Sequence, residues 1–343
     1  MSSENSREGW AKQPWKGTTV SLACFIVTLL VTPLIGAVSL SSADVLGGIS
    51  PAADIFWDLR LPRVLLAAVV GCALAVSGAV FQALLRNDLA TPFTLGIASG
   101  ASLGAVIAIY MGLEGVLFLN YKGFVFEVST LPAAAFAGAT LVLILVLGMV
   151  RIRGPGMDSV TLLLAGVTVS FFSSAMILLI QYLSDHTETY RMIRWMMGGL
   201  DTVGMAPFLQ TFPVVLVGVI GIWLQAPSLN QLLTGELLAA SRGVAVRRVR
   251  LSVMGIAAMI TAAALAFTGP IGFIGLMVPH AMRRVVGSDH KWLIPASALG
   301  GGTLLPVCDA IARTVIAPTE IPVGVLTALL GSPFFLFILL RRR

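Results

Sequence analysis

Few residues in this chain are of types that carry out chemistry, and they do not form a catalytic pattern. Cys24, Cys72 and Cys308 lie in apolar runs without metal-ligand spacing, so each is predicted to be a small buried side chain. His280 is a lone histidine beside a proline, predicted to pack or to form a hydrogen bond. Neither HExxH nor a P-loop occurs. The sequence therefore predicts no catalytic, cofactor-binding or metal-binding residue.

One polar, basic stretch, TGELLAASRGVAVRRVR at 234–250, stands between two apolar segments. Thr234 can cap a helix starting at Gly235, because its hydroxyl can accept a backbone N–H, and Glu236 then lies where the helix dipole favours an acid. The apolar stripe and the stop signal are Leu233, Leu237, Ala240, Val244 and Gly243. This pattern predicts a short amphipathic helix that either lies on lipid or docks a partner.

The composition indicates which elements must position this stretch. The chain has 343 residues, of which 57% are hydrophobic and only 11% charged, with a mean hydropathy of +0.95. Soluble domains carry roughly a quarter charged residues, so this chain has too few to cover a water-facing surface. The apolar runs are long and continuous, which favours membrane-spanning helices over a barrel. The predicted fold class is all-α, a polytopic membrane protein of about ten transmembrane helices.

The predicted spans are 19–40, 62–82, 92–112, 130–150, 160–183, 205–224, 251–268, 271–286, 292–312 and 322–340. The seventh and eighth are separate only if the chain turns at Gly269–Pro270, because proline cannot continue a helical hydrogen-bond ladder. Gly272 and Gly275 are expected to permit close helix packing. Residues 1–18 form a tail, and 19–343 form a single transmembrane domain.

Most of the 22 Lys and Arg residues fall in loops on the side of both termini. The positive-inside rule then places both termini in the cytoplasm, together with the loop at about 225–250. The first apolar run is longer than the core of a signal peptide and no A-x-A site follows it, so we expect an uncleaved first span.

Several long blocks occur in an order typical of one family. They are RLPR at 60–63, SGAVFQALLRNDLATPFTLGIASGA at 77–101, LLLAGV at 162–167, WMMGG at 195–199, GPIGFIGLMVPH at 269–280 and DAIARTVIAPTEIPVGVLTALLGSPFF at 309–335. Through them the chain resembles the FecCD or BtuC-like permease subunits of type II ATP-binding-cassette (ABC) importers for iron–siderophore complexes, haem and vitamin B12. The resemblance covers nearly all of the chain beyond the first ~20 residues.

The resemblance implies that two copies of the permease form a homodimer in the inner membrane. It further implies two cytoplasmic ATPase subunits that hold ATP and Mg, and a periplasmic or lipid-anchored substrate-binding protein. In such permeases the loop between spans six and seven couples to the ATPase. The matching residues here are Glu236, Leu237, Ala239, Ala240, Arg242 and Gly243.

In similar permeases, arginines at the outer mouth dock the binding protein. The matching positions are Arg60, Arg63 and Arg313. The alternative is that these arginines anchor helix ends or pair with Asp58 and Asp309. Exposed pairs contribute at most about 1 kcal/mol, so docking by charge would steer and orient the partner.

By the same resemblance, a cytoplasmic gate is expected at Asn87, Leu89, Ser159, Val160 and Thr161. The family usually has proline where this chain has Asp88, which is expected to alter the loop or to pair with Arg86. The alternative role of Ser159 and Thr161 is helix capping. Arg191 and Arg194 precede WMMGG and either meet an anionic chelate or anchor the outer mouth.

The predicted function is import of an iron chelate, with ferric siderophore first and haem or cobalamin as alternatives. Transport would proceed by alternating access, driven by a separate ATPase, so this subunit is not expected to be an enzyme. An ion-gradient-driven secondary transporter is the alternative of another class. Such transporters usually carry ionisable residues at mid-membrane, and the predicted spans are nearly free of them.

Overall fold

The computed structural model describes residues 13–38, 41–113, 115–121, 124–153, 159–201 and 204–341. The helices are α1 Pro14–Val31, α2 Ser42–Leu46, α3 Ala52–Asp54, α4 Leu61–Leu85, α5 Ile97–Tyr110, α6 Thr130–Arg153, α7 Ser159–Leu183, α8 His186–Met196, α9 Ala206–Leu224, α10 Ala226–Leu233, α11 Glu236–Ser241, α12 Val246–Thr268, α13 Ile274–Val286, α14 His290–Ala312 and α15 Val323–Arg341. Thr32–Leu34 and Pro92–Leu95 are 3-10 turns, and Ile55–Arg60 is a π-helical turn. Two strands, β1 Val116–Tyr121 and β2 Phe124–Ser129, pair antiparallel.

Each of the ten predicted spans coincides with a helix. Seven helical segments in the described chain are long and apolar enough to cross a membrane, α5 and most of α15 are shorter apolar helices, and α13 supplies the remaining span. The predicted all-α, polytopic membrane fold is therefore confirmed. The hairpin of β1 and β2 between α5 and α6 is a small addition that hydropathy alone did not predict.

The turn that separates the seventh and eighth spans is present. Gly269 ends α12 at φ 65° and ψ −171°, a backbone region that is essentially restricted to glycine. Pro270 follows, and α13 begins only after Phe273, which itself has a positive φ of 67°. The predicted break at Gly269–Pro270 is thus confirmed as two distinct helices.

The core is built around α4, which is buried at nearly every position and packs against α9, α12, α13 and α14. Helix α7, by contrast, exposes large apolar side chains along most of its length, including Phe171 and Tyr182. Both helices are apolar throughout, so their environments differ because of position in the bundle rather than because of composition. Helix α4 is the axis around which the other spans are arranged.

Two pairs of glycines bring α4 into backbone contact with its neighbours. A Cβ at Gly71 would overlap the carbonyl of Gly301 on α14, and one at Gly78 would overlap the carbonyl of Gly275 on α13. Close packing of this kind relies on small residues where lipid gives helices no hydrophobic drive to associate. The packing prediction is confirmed for Gly275; at Gly272, however, an added Cβ would meet nothing within 4 Å.

Helices α4 and α14 run antiparallel and define the two ends of the molecule used below. The mouth end holds Arg60 and Arg63 at the start of α4, and Arg313 just after α14. The coupling end holds the last turn of α4, the start of α14 and the coupling segment, which we define as α10 and α11 with the residues that join them to α12.

Candidate functional site

The coupling segment forms two short helices rather than the predicted single helix. Gly235 separates them with φ 127°, a conformation that residues with a side chain rarely adopt. The hydroxyl of Thr234 donates to the carbonyl of Gln231, 2.8 Å away, and so closes α10. Helix α11 begins at Glu236, and the predicted N-cap at Thr234 is therefore wrong.

The end of α11 follows the prediction. Gly243 has φ 86°, its N–H donates to the carbonyl of Ala240 at 3.0 Å, and the N–H of Val244 donates to that of Ala239 at 3.0 Å. These two bonds form a Schellman motif, which satisfies carbonyls that a helix end otherwise leaves free. The stop at Gly243 is confirmed, and it fixes the direction in which the chain enters α12.

The apolar side of α11 faces outward. Leu237 is 90% exposed, and Leu233, Leu238 and Ala240 are also exposed, whereas Ala239 is fully buried against the bundle. The predicted stripe of Leu233, Leu237, Ala240 and Val244 is therefore divided: the first three face outward, whereas Val244 is partly buried against the core. Arg242 and Gly243 are exposed beside the outward-facing part. A group of exposed apolar side chains on one short segment indicates a contact surface for lipid or another protein.

One ion pair fastens α11 to the bundle. Arg250, near the start of α12, places Nη2 2.6 Å from Oε1 of Glu236. The carboxylate is 42% exposed, so water screens the pair and its contribution to stability is small. Its geometric effect is larger, because it holds α11 against α12 and so orients Leu237.

The predicted gate residues lie on two elements of the described chain. In the loop after α4, the side-chain oxygen of Asn87 accepts from the N–H of Leu89 at 2.9 Å, and Leu89 is exposed. Helix α7 begins at Ser159, whose side chain lies outside the described residues, and continues through exposed Val160 and half-buried Thr161. Leu89 in the loop and Val160 on α7 are thus both exposed apolar side chains. Their role as a gate stays a prediction.

Asp88, where this chain departs from the family pattern, pairs with α13. Its Oδ1 lies 3.1 Å from Nη1 of Arg283. Arg86, the pairing partner that we considered from sequence, directs Nη2 to the carbonyl of Leu232 in α10 at 2.8 Å. The acid therefore ties the loop after α4 to the eighth span, and the neighbouring arginine ties the end of α4 to the coupling segment.

At the mouth end, Arg60 is 6% exposed and is bound to backbone carbonyls. Its guanidinium donates to the carbonyls of Pro33, Leu34 and Val38, which follow the C-terminus of α1. A cation suits this position because carbonyls beyond a helix end lack partners. The geometry fits the alternative of a helix-end anchor, and the docking role of Arg60 stays a prediction.

Arg63 and Arg313 converge on Asp309, which is fully buried. Arg63 approaches it with Nε at 3.0 Å and Nη2 at 2.8 Å from Oδ1, and Nε of Arg313 lies 3.0 Å from Oδ2. A second bond from Arg63 reaches Oε2 of Glu320 at 2.8 Å. We call Arg63, Asp309, Arg313 and Glu320 the mouth cluster. The alternative of pairing with Asp309 is thus realised for both arginines, while their docking role stays a prediction.

Arg191 and Arg194 lie on α8, an amphipathic helix that the predicted spans did not include. Nη2 of Arg194 is 3.1 Å from Oδ2 of Asp201, and this hydrogen bond raises the pKa of Arg194 above its ordinary value. A cavity of about 690 Å³ opens between Arg194 and the mouth cluster, and another of about 550 Å³ is lined by both α8 arginines and Trp195. These positions suit either predicted role, substrate contact or anchoring.

The acidic members of the mouth cluster were largely missed from the sequence. Only Asp309 was considered, as a partner of the arginines, and its spacing of four from Arg313 on one helix was the available signal. Glu320 carries no such signal, since Arg63 lies 257 residues away in the chain, and Asp201 lies seven residues from Arg194, beyond the end of α8. Among the described residues, no three His, Cys, Asp or Glu side chains group as a metal site.

Known proteins resemble this chain in sequence and in fold. Residues 24–341 match the model of the FecCD transport family. The hemin transport system permease protein HmuU of Yersinia pestis is 40% identical over 328 residues, covering 94% of this chain and 94% of that protein. The vitamin B12 import system permease protein BtuC of Vibrio vulnificus is 36% identical over 328 residues, covering 95% of each.

A solved structure is similar across almost the whole fold. It is described as an inward-facing conformation of a metal-chelate type ABC transporter, and it aligns with a TM-score of 0.81 and 29% identity. The alignment covers 96% of this chain and all of that one. The family model, the relatives and the ten helices agree, and the chain belongs to the FecCD transport family, as a multi-pass membrane permease of the ABC importer type.

Proposed function

We propose that this chain is the membrane-spanning subunit of an importer for an iron chelate, with hemin as the first compound to test. The observation that supports this most directly is the 40% identity to a hemin permease over nearly the full length of both proteins. The similar structure of a metal-chelate type transporter supports the broader class. Ferric siderophores belong to the same class and are the second compound to test.

Cobalamin is the second candidate substrate. The cobalamin import system permease protein BtuC of Halobacterium salinarum is 40% identical over 285 residues, covering 83% of this chain and 73% of that protein. Identity therefore ranks hemin and cobalamin equally, although the hemin relative aligns over more of both chains. Uptake of each compound by the same preparation separates the two candidates.

The coupling segment is the proposed contact for two cytoplasmic ATPase subunits, one per permease. Leu237 projects from a helix whose opposite residue, Ala239, is buried, and Arg242 lies exposed at its end. A rigid apolar residue with a charged rim is typical of a protein interface. ATP and Mg would then be held by the partner, and this chain would contribute no nucleotide site. Both termini would lie with this segment in the cytoplasm, at the inner membrane.

A second permease copy is the proposed neighbour of the weakly packed spans. A substrate-binding protein is the proposed partner at the mouth end. Helix α7 exposes residues such as Phe171 and Tyr182, which lipid or a second copy would cover. At the mouth, Arg194 and Glu320 expose charge beside a cavity. Charge there would steer a binding protein into register. ATP-driven changes at the coupling segment would alternate access between the two ends.

Reconstitution in proteoliposomes tests this proposal. The chain is assembled with its ATPase and its binding protein. Uptake of hemin, a ferric siderophore and cobalamin is then measured with ATP on the side of the membrane where the ATPase is bound. We expect uptake of an iron chelate that requires both partners and ATP. Uptake driven by a proton or sodium gradient without the ATPase would instead indicate a secondary transporter, and uptake of cobalamin alone would replace the proposed substrate.

A further inference from the structure

A hydrogen-bonded cluster joins α10 of the coupling segment to the start of α14. Nδ2 of Asn230 donates to Oδ1 of Asp289 at 2.6 Å, and Oδ1 of Asn230 accepts from the backbone N–H of His290 at 2.9 Å. Nδ1 of His290 lies 2.8 Å from the same oxygen. Asp289 also caps α14 by accepting from the N–H of Lys291 at 2.9 Å.

Each contact in this cluster pairs a donor with an acceptor, and the Oδ1 atoms of Asn230 and Asp289 each accept two bonds. The amide oxygen of Asn230 can only accept, so Nδ1 of His290 must carry the proton for that contact to be favourable. The carboxylate of Asp289 can only accept, which fixes the amide of Asn230 in the observed orientation. His290 is 2% exposed, so losing its partner would leave a buried polar group unpaired.

Two further bonds fasten the same region. Nε1 of Trp223, at the end of α9, donates to the carbonyl of Lys291 in α14 at 3.0 Å. Arg86, at the end of α4, donates to the carbonyl of Leu232 in α10 at 2.8 Å. Helix α10 is therefore attached to both α4 and α14, whereas α11 is attached to α12 through Glu236 and Arg250.

Helices α4 and α14 are themselves joined along their whole length. Gly71 and Gly301 place their backbones in contact in the middle, and Arg63 of α4 binds Asp309 of α14 at the mouth end. A displacement of α14 at its first residue is thus carried to the mouth cluster by a pair of helices that cannot easily separate. Contiguous packing of this kind can carry energetic coupling between distant sites.

We infer that Asn230 is the positioning residue that passes movement of the coupling segment to α14, and through α4 and α14 to the mouth end. This inference rests on the proposed function, because it assumes that an ATPase moves the segment. It assigns different roles to the two short helices. Helix α11 presents Leu237 to the ATPase, and α10 with Asn230 connects the segment to the spans that reach the mouth cluster.

The substitution Asn230→Asp tests the joint with little change in volume. It places a second carboxylate against Asp289, so the donor–acceptor match is lost and the two groups repel each other. We expect the amount of substrate transported per ATP hydrolysed to fall about tenfold, a coupling change within the usual range for linked sites. Folding, assembly with the ATPase and ATP hydrolysis by the assembled complex are expected to remain.

The double exchange Asn230→Asp with Asp289→Asn supplies the rescue. The new carboxylate accepts from the backbone N–H and from Nδ1 of His290, and it no longer faces a second carboxylate. Because Oδ1 of Asp289 makes both the contact with residue 230 and the cap of α14, the new amide at 289 restores one of these two bonds. We expect the transport-to-hydrolysis ratio to recover to within about threefold of the original value, because the repulsion between two carboxylates is removed while one bond at the amide stays lost.

Matched controls separate positioning from folding. Thr303→Val changes a polar residue of α14 whose hydroxyl bonds to the carbonyl of Leu299 in the same helix, and it is expected to leave the ratio unchanged. Trp223→Phe removes one bond to α14 and is expected to lower the ratio less than Asn230→Asp does. An unchanged ratio in Asn230→Asp would overturn the inference, as would a double exchange that stays as impaired as the single variant. A loss of folded protein with an unchanged ratio per complex would also overturn it, since that is a purely structural role. Failure of the proposed function is recognised separately, because the unsubstituted complex would then show no ATP-driven uptake.

Discussion

The two ends of the molecule treat charge in opposite ways. At the mouth end, Asp309 is fully buried and two guanidinium groups neutralise it within the chain. At the coupling end, the carboxylates of Glu236 and Asp88 are each more than 40% exposed and each has an ion-pair partner on a neighbouring helix. The buried charge of Asp309 is thus satisfied within the chain, while Arg194 and Glu320 beside it stay exposed; the coupling end has no buried pair of this kind among the described residues and leaves polar and apolar groups open to another molecule.

This difference has an energetic basis. A buried charge whose partner is removed loses its compensation and cannot be rehydrated, so breaking such a pair is costly. A half-exposed pair exchanges its partner for water and loses little. We therefore predict that the same chemical change has unequal effects at the two ends. At the mouth end it should lower the stability of the protein, and at the coupling end it should weaken the binding of a partner.

The largest effect is expected from Asp309→Asn. The amide cannot neutralise Arg63 and Arg313, and the two buried cationic groups keep only the half-exposed acids Glu320 and Asp201, both beside Arg63, as described ion-pair partners. We expect a loss of about 3–5 kcal/mol in the free energy of unfolding. Denaturant-induced unfolding of the purified protein in detergent measures it. A variant as stable as the original would show that the mouth end is hydrated after all and would remove the contrast.

A smaller effect, of a different kind, is expected from Leu237→Ser. Leu237 is almost fully exposed, so stability should not change, but binding of the ATPase should weaken by about 1–3 kcal/mol if this side chain is an interface anchor. The affinity of the permease for the ATPase in detergent is the measurement. Leu113→Ser, an exposed leucine near the mouth end, is the matched control and should bind normally. Equal binding by both variants would assign Leu237 to lipid instead.

The smallest effect is expected from Glu236→Gln, which makes the same carboxylate-to-amide change as Asp309→Asn. Glu236 is 42% exposed and has one ion-pair partner, Arg250, so the loss of stability should be below about 1 kcal/mol. Unfolding of both variants under the same conditions gives the comparison directly. If Glu236→Gln destabilised the protein as much as Asp309→Asn, exposure would not be what distinguishes the two ends.

The spans were predictable because hydropathy depends on composition alone, and the break at Gly269–Pro270 was predictable because both residues restrict the backbone locally. The orientation of α11, by contrast, could not be predicted from the sequence. Its stripe could be identified from periodicity, but periodicity does not tell which side faces the bundle when Ala239 and Leu237 are both apolar. That choice depends on the turn at Gly235 and on Arg250, which lies fourteen residues away from Glu236.

The mouth cluster shows the same limit. The spacing of Asp309 and Arg313 is local and visible in the sequence, so their contact could be considered in advance. Arg63 reaches Asp309 across 246 residues, and nothing local indicates that distance. The joint at Asn230 and His290 spans 60 residues and was missed for the same reason. Contacts between spans require the packing order of the helices, which composition and periodicity do not supply.

The glycine contacts of α4 limit how the transporter can move. A helix whose backbone touches two neighbours at Gly71 and Gly78 can neither spin about its own axis nor slide along it without a steric clash. Helix α4 can tilt without such a clash, provided that α13 and α14 tilt with it. We therefore expect α4, α13 and α14 to move together as one block during transport, and the loosely packed helices around them, such as α7, to rearrange individually.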